Sequence, residues 1–179
     1  MDRKLILYIA MSLDGYIAKP DGDLSWLSEV EKEGEDYGYH KFVASVDTVI
    51  VGRKTYDKVL SMGVDYPHQD KMSYIITRTP HTSLGNIHFY TEDVTELVKK
   101  LKAMPCKNIY CDGGAEIVNL LLNNNLFDEL VISIVPVLLG GGIELFKPGR
   151  PENKLQLVSS QAFESGLVQV HYKVQGIKS

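Results

Sequence analysis

The sequence predicts an α/β fold, with a mostly parallel central sheet, helices on its flanks and an antiparallel C-terminal edge. Three observations predict it. Apolar runs of strand length alternate with stretches of helical spacing from Leu5 to Asn123. The run Thr48–Val51 is β-branched throughout, which suits a strand buried on both faces. After Phe127 the helical spacing stops and only strand-like segments follow. Strand–helix alternation puts a parallel sheet between helices, and consecutive strands at the end return antiparallel.

The elements follow in order. Leu5–Met11 reads as the first strand. It is too short to span a membrane, and Ser12-Leu13-Asp14-Gly15 after it is no signal cleavage site. Glu35–Ser45 reads as a helix, with Tyr39, Phe42 and Val43 at helical spacing. Arg53–Ser61 is the next helix, and Ser73–Thr77 and Ile87–Tyr90 are strands. Asp93 with Glu96 three residues on has the spacing of a capping box, opening a helix that ends near Lys102. Lys107–Cys111 is a strand and Ala115–Asn123 a helix, stopped by the run Asn123-Asn124-Asn125. Leu130–Leu139 reads as one long strand and Gly140-Gly141-Gly142 as a loop. Lys154–Phe163 and Leu167–Val174 alternate as a hairpin turned by Glu164-Ser165-Gly166.

The 179 residues fit one domain, 1–179, and 44% hydrophobic content is enough for its core. A net charge of −4 argues against a nucleic-acid binder, which needs a basic surface, but leaves room for a local basic pocket. Cys106 and Cys111 form neither a CxxC motif nor a disulfide framework, so they read as free thiols in a reducing cytoplasm. The five histidines are scattered, and no metal site is expected.

Parallel sheets bind ligands at the carboxyl ends of their strands. Four features fall there. The strand ending at Val51 runs into Gly52-Arg53-Lys54-Thr55. Glycine lets a backbone approach a ligand, and a helix start offers unpaired N–H groups to an anion. A solvated helix start with ordinary surface cations is the rival reading. Next, Asp112-Gly113-Gly114-Ala115-Glu116 joins a strand to a helix, which suits a pyrophosphate or else is only a tight turn. Thr77-Arg78 ends another strand with a hydroxyl and a guanidinium, fit for a phosphate or merely exposed. Finally, Glu35 and Asp36 lie at a helix start close to Tyr37 and Tyr39. They serve either as a proton donor or as helix caps.

In this order the motifs resemble the dihydrofolate-reductase-like superfamily. Within it the chain is most similar to the reductase domain of bifunctional riboflavin-biosynthesis deaminase-reductases. The segments that carry the resemblance are Met11–Ala18, Asp21–Trp26, Gly52–Thr55, Cys111–Val118 and Pro136–Phe146. It implies a dihydrofolate-reductase-like sheet and an NADPH-dependent oxidoreductase. The activity implied is of the 5-amino-6-(5-phosphoribosylamino)uracil reductase type, acting on a small heterocyclic or ribosylated substrate. It also implies site roles. Ala10 and Ile17 would hold the nicotinamide carboxamide through their main chain. Gly52, Arg53, Lys54 and Thr55 would grip the pyrophosphate and adenosine phosphate. Thr77 and Arg78 would face the 2′-phosphate, and Gly113, Gly114, Ala115 and Glu116 would form the second dinucleotide turn. Asp36 would be the substrate-binding acid. A homodimer through the C-terminal strands, with no nucleic acid or membrane partner, completes the expectation.

The pattern departs from the folate enzymes in three places. No Pro-Trp motif precedes Asp36, Val118 replaces a tyrosine, and His40 stands where a folate-stacking aromatic is common. A dihydrofolate or pteridine reductase is the alternative enzyme. A non-catalytic NADPH-binding, assembly or NADPH-sensing protein on the same fold is the alternative from another class.

Overall fold

The computed structural model describes residues 2–175; Met1 and residues 176–179, part of the single-domain expectation, lie outside the described residues. The strands in chain order are β1 Leu5–Ser12, β2 Tyr16–Ala18, β3 Val46–Gly52, β4 Met72–Ile76 and β5 Ile87–Tyr90. They continue as β6 Asn108–Gly113, β7 Glu129–Val135, β8 Ile143–Glu144, β9 Lys154–Ala162 and β10 Val168–Gln175. The α-helices are α1 Tyr39–Ala44, α2 Arg53–Ser61, α3 Val94–Lys102 and α4 Ala115–Asn123, with a 3-10 helix over Ser25–Val30.

Eight strands form one sheet in the order β5-β4-β3-β6-β1-β7-β10-β9. Pairs from β5 through β7 are parallel, whereas β10 pairs antiparallel with both β7 and β9. The expected fold class is therefore the observed one. The alternation of side chains explains the layers. Leu5 and Leu7 of β1, Ile50 of β3 and Ile109 and Cys111 of β6 share one core with Val98 of α3 and Leu121 of α4. Their neighbours Val49 and Tyr110 face the opposite side, with Tyr8, Tyr39 and Phe42 packed around them. Tyr56 of α2 packs on Val51 and Ile75.

Three local expectations need correcting. The helix over Glu35–Ser45 is only Tyr39–Ala44, because Tyr37 and Gly38 adopt positive φ (55° and 81°) and cannot join it. The strand over Leu130–Leu139 stops at Val135, where Pro136 lacks the N–H a ladder needs. The capping box is half made: Asp93 accepts from the N–H groups of Thr95 and Glu96, but Glu96 pairs with Lys99 instead of reaching back. The short ladder of β2 with β8 and the 3-10 helix carried no periodic signal, being too brief for one.

At the amino end of the strands Arg3 is 4% exposed. Its guanidinium donates to Leu101 O (2.9 Å), Lys107 O (2.6 Å), Asp47 Oδ1 (2.5 Å) and Thr48 Oγ1 (2.6 Å). Arg3→Ala is expected to cost about 3 kcal/mol, since it strands several buried acceptors at once. Urea unfolding reads this, and a loss under 1 kcal/mol (on the order of a surface change) would refute it.

Candidate active site

The carboxyl ends of β3 and β6 carry the two glycine turns. Gly52 is the N-cap of α2 and Gly114 the N-cap of α4, and neither makes a side-chain cap bond. A Cβ on Gly52 would lie 3.4 Å from Gly114 N and 3.6 Å from Gly113 O, so the turns touch backbone to backbone. A Cβ on Gly114 would lie 3.0 Å from Thr55 Oγ1. Gly113 holds φ at +97°, a conformation open to glycine. Gly52, Thr55, Gly113, Gly114 and Ala115 thus come together in one cradle. Two helix starts face it, with N–H groups that no side chain claims. This is a surface into which a pyrophosphate fits. Glu116 is exposed on the first turn of α4.

The cations beside the cradle differ in availability. Lys54 and Arg78 are exposed. Arg53 is engaged: its Nε donates to both oxygens of Asp57 at 2.7 and 2.8 Å, and its guanidinium lies 5.4 Å from the centre of the Phe89 ring. His81 Nε2 stands 2.6 Å from its NH1. Gly52 pairs with Ile76 across β3 and β4, which brings the Thr77–Arg78 turn beside the Gly52–Arg53 turn. Thr77 donates its N–H to Tyr90 O at 3.0 Å, and its hydroxyl accepts from Thr79 N at 3.2 Å.

On the α1 face of the sheet lies a cavity of about 590 Å³. Tyr8 and Ala10 of β1 and Ser133 and Val135 of β7 line it, together with Leu27 and Val30 of the 3-10 helix. Ala10 therefore sits in the wall, whereas Ile17 packs on the main core. Glu31, Lys32, Glu33, Glu35, Asp36 and Tyr37 form one side. The Gln169 amide nitrogen lies 3.1 Å from each of Tyr8 Oη, Tyr37 O and Ser133 Oγ, and ties that loop to the strands.

Asp36 precedes α1 and caps it. Its oxygens accept from the N–H groups of Gly38 and His40, both at 2.9 Å, and from the His40 ring. These bonds hold its carboxyl below the ordinary range. At neutral pH it is an ionised acceptor, not a stored proton.

Two acids carry roles that the sequence motifs did not assign to them. Asp112 precedes the paired glycines, and burial pushes its carboxyl up to about 6, although Tyr110 Oη donates to it at 2.6 Å. Beside Tyr110, His68 is pushed down to about 4 by burial and stays neutral, with its Nε2 3.3 Å from Tyr39 Oη. An acid immediately before a glycine pair at a strand's end was the available signal for Asp112. Asp14 is the other: it accepts from Leu139 N (3.1 Å) and Gly140 N (2.8 Å), pinning the glycine-rich loop to the end of β1. Ser12 Oγ also donates to it at 2.6 Å, but the two loop partners lie 125 and 126 residues away, so no local pattern marks the clamp. Cys111 is fully buried and its thiol is pushed up to about 12, which leaves it inert. Among the described residues no three His, Cys, Asp or Glu side chains gather as metal ligands. None of the described helices is long and apolar enough to cross a membrane.

Comparison with known proteins agrees with the fold. The family model of the RibD C-terminal domain matches residues 3–169. The uncharacterized protein YwjB of Bacillus subtilis is 43% identical over 96% of this chain and 98% of its own length. A solved structure of a Shewanella sp. PV-4 protein named for riboflavin biosynthesis is 31% identical, with a TM-score of 0.86 over 97% of this chain and 99% of that one. A Thermotoga maritima diaminohydroxyphosphoribosylaminopyrimidine deaminase/5-amino-6-(5-phosphoribosylamino)uracil reductase shares the fold at 17% identity and a TM-score of 0.71. The alignment covers 97% of this chain but only 57% of that one.

Proposed function

Because the chain belongs to the RibD C-terminal domain family, we propose that it is an NADPH-dependent reductase of the riboflavin-biosynthesis type, acting on a small heterocyclic or ribosylated substrate. One observation carries the reading. The paired glycine turns and their two uncapped helix starts lie at the carboxyl ends of the same sheet whose β1 and β7 line the cavity. Ligands of parallel sheets bind at that end.

NADPH, when bound, would supply the hydride equivalent for the reduction. This chain's residues would do the rest. Gly52, Thr55, Gly113, Gly114 and Ala115 would hold the pyrophosphate by backbone approach, with Glu116 at the rim of the second turn. Lys54, Thr77 and Arg78, with Arg53 once it leaves Asp57, would meet the adenosine phosphates. The main chain of Ala10 and Ile17 would flank the nicotinamide. Asp36, ionised and fixed by its capping bonds, orients the substrate by accepting one of its N–H groups. Asp112, whose carboxyl burial raises to about 6, is the second acid of this reading, able to carry a proton in mildly acidic conditions and ionised above them. A homodimer through β9 and β10 belongs to the same reading. Every residue of β9 is exposed, including Leu155, Leu157 and Val158, and an uncovered edge strand invites pairing. Sedimentation as a monomer at high concentration would refute the dimer. The reading also keeps the protein cytoplasmic, on the strength of its two free thiols.

Titration with NADPH and NADH, followed by nicotinamide fluorescence, tests the function. NADPH is expected to bind more tightly, and Arg78→Ala to remove about tenfold of that preference by losing one charged phosphate contact. Absence of binding by either nucleotide at millimolar concentration would overturn the reductase reading.

A further inference from the structure

The cavity has a charge pattern that bears on what it can hold. Glu31, Glu33, Glu35 and Asp36 all contribute to its lining, against one lining cation, Lys32. That lysine also pairs through its Nζ with the exposed Glu164 of the β9–β10 turn, which offsets part of its charge. Asp36 is held ionised by its bonds to Gly38 and His40, which adds a fixed negative charge near neutral pH.

The backbone gives an anion no better welcome. The helix start nearest the cavity is that of α1, and Asp36 already takes the N–H groups of Gly38 and His40 there. The Tyr8 hydroxyl donates to Tyr37 O at 2.8 Å, and the Tyr37 hydroxyl donates to Val30 O. The hydroxyl protons of both tyrosines are therefore spent within the protein. Four carboxylates outnumber the polar donors left in the lining, the Ser133 hydroxyl and the Lys32 ammonium. Among the described residues, the cluster of helix starts suited to phosphate is the glycine cradle, which the proposed dinucleotide would fill.

We infer that the cavity selects an unphosphorylated, neutral or cationic heterocycle, and discriminates against a ribosyl phosphate. This rests on the proposed reductase reading and narrows its substrate class. It separates this chain from any reductase whose substrate carries a phosphate ester, because the discriminating charges sit on its own loop Glu31–Asp36. The exposed members of that loop are screened by salt, so the discrimination is moderate and ionic-strength dependent.

The test uses one matched pair of probes, a ribosylaminopyrimidine with and without its 5′-phosphate. Binding of each to the full chain is measured by calorimetry, with and without NADPH. The expected result is that the form without phosphate binds about tenfold more tightly at low salt, and that the gap narrows as salt rises. The double substitution Glu31→Gln and Glu33→Gln, on exposed loop positions, should narrow the gap at low salt without unfolding the chain. Equal or tighter binding of the phosphorylated form overturns the inference and leaves the reductase reading intact. Failure of both forms to bind while NADPH still binds overturns it too, since the cavity then takes no such heterocycle. Failure of NADPH itself is the separate outcome that removes the reductase reading.

Discussion

Gly142→Ala is expected to destabilise the protein by about 3–5 kcal/mol, among the larger effects of a single substitution. Gly142 holds φ at +151°, and a Cβ there would lie 2.1 Å from the carbonyl oxygen of Ala18. The atom in the way is backbone, so no rotamer change relieves the clash. Ala18 is 7% exposed and pairs with Ile143 in the ladder between β2 and β8. Moving either strand disturbs Leu145, which is fully buried two residues further on. It also disturbs the Asn119 side chain, which donates to Leu145 O at 2.9 Å and accepts from Lys147 N at 2.9 Å. For a chain of this size the melting temperature should fall by roughly 10 °C. Gly141→Ala is the control, since nothing lies within 4 Å of its Cβ position. Equal behaviour of the two variants would refute the clash as the cause.

Asp112→Asn is expected to stabilise the protein at neutral pH and to leave it unchanged in acid. Burial raises the carboxyl of Asp112 from 3.8 to about 6 in the folded state. Between those values the native state binds the proton that the unfolded chain has already released. The stability conferred by the neutral acid is thus full below pH 3.8 and falls as the pH rises through about 6, remaining low above it. Asparagine never ionises and keeps an oxygen for the Tyr110 hydroxyl. A shift of this size corresponds to about 3 kcal/mol at most, and the residue's partial exposure reduces the expected gain to about 1–2 kcal/mol at pH 7.5. Chemical denaturation at pH 7.5 and pH 4 measures it. A gain that is the same at both values would show that ionisation is not responsible. A gain in stability together with a loss of NADPH-dependent turnover would mark Asp112 as a carboxyl kept at a cost for its chemistry.

Much of the fold was legible because its signals are local. The helices Arg53–Ser61 and Ala115–Asn123 and the strand Ile87–Tyr90 have the expected bounds, since each begins or ends at a residue that dictates backbone geometry. The hairpin at Glu164-Ser165-Gly166 closes as the alternation required, with Gly166 donating to Phe163 O at 2.9 Å. The glycine turns could be located in the same way, because a strand followed by glycine and a helix is a local pattern.

What those turns do together could not be read locally. Gly52 and Gly114 meet because β6 inserts between β3 and β1, a sheet order no window of sequence encodes. Arg53 illustrates the limit. Its charge was evident, but its engagement by Asp57 and its place over Phe89 depend on one helix turn and a distant strand. Asp36 was legible as an acid near a helix start. Only the tertiary structure turned it into an ionised acceptor in a cavity wall, because the positive φ of Tyr37 and Gly38 shortens α1 and leaves the N–H groups of Gly38 and His40 to that carboxylate.

The sequence by itself determined the class of fold, the carboxyl-end location of the two glycine turns and the antiparallel close of the chain. Each follows from the period of the apolar residues and from the few residue types that break it. The tertiary structure alone decided the pKa of Asp112, the clamp of Asp14 on the glycine-rich loop and the acidic lining of the cavity. Those depend on burial and on partners far apart in the chain, which only the folded sheet brings within a hydrogen bond of each other.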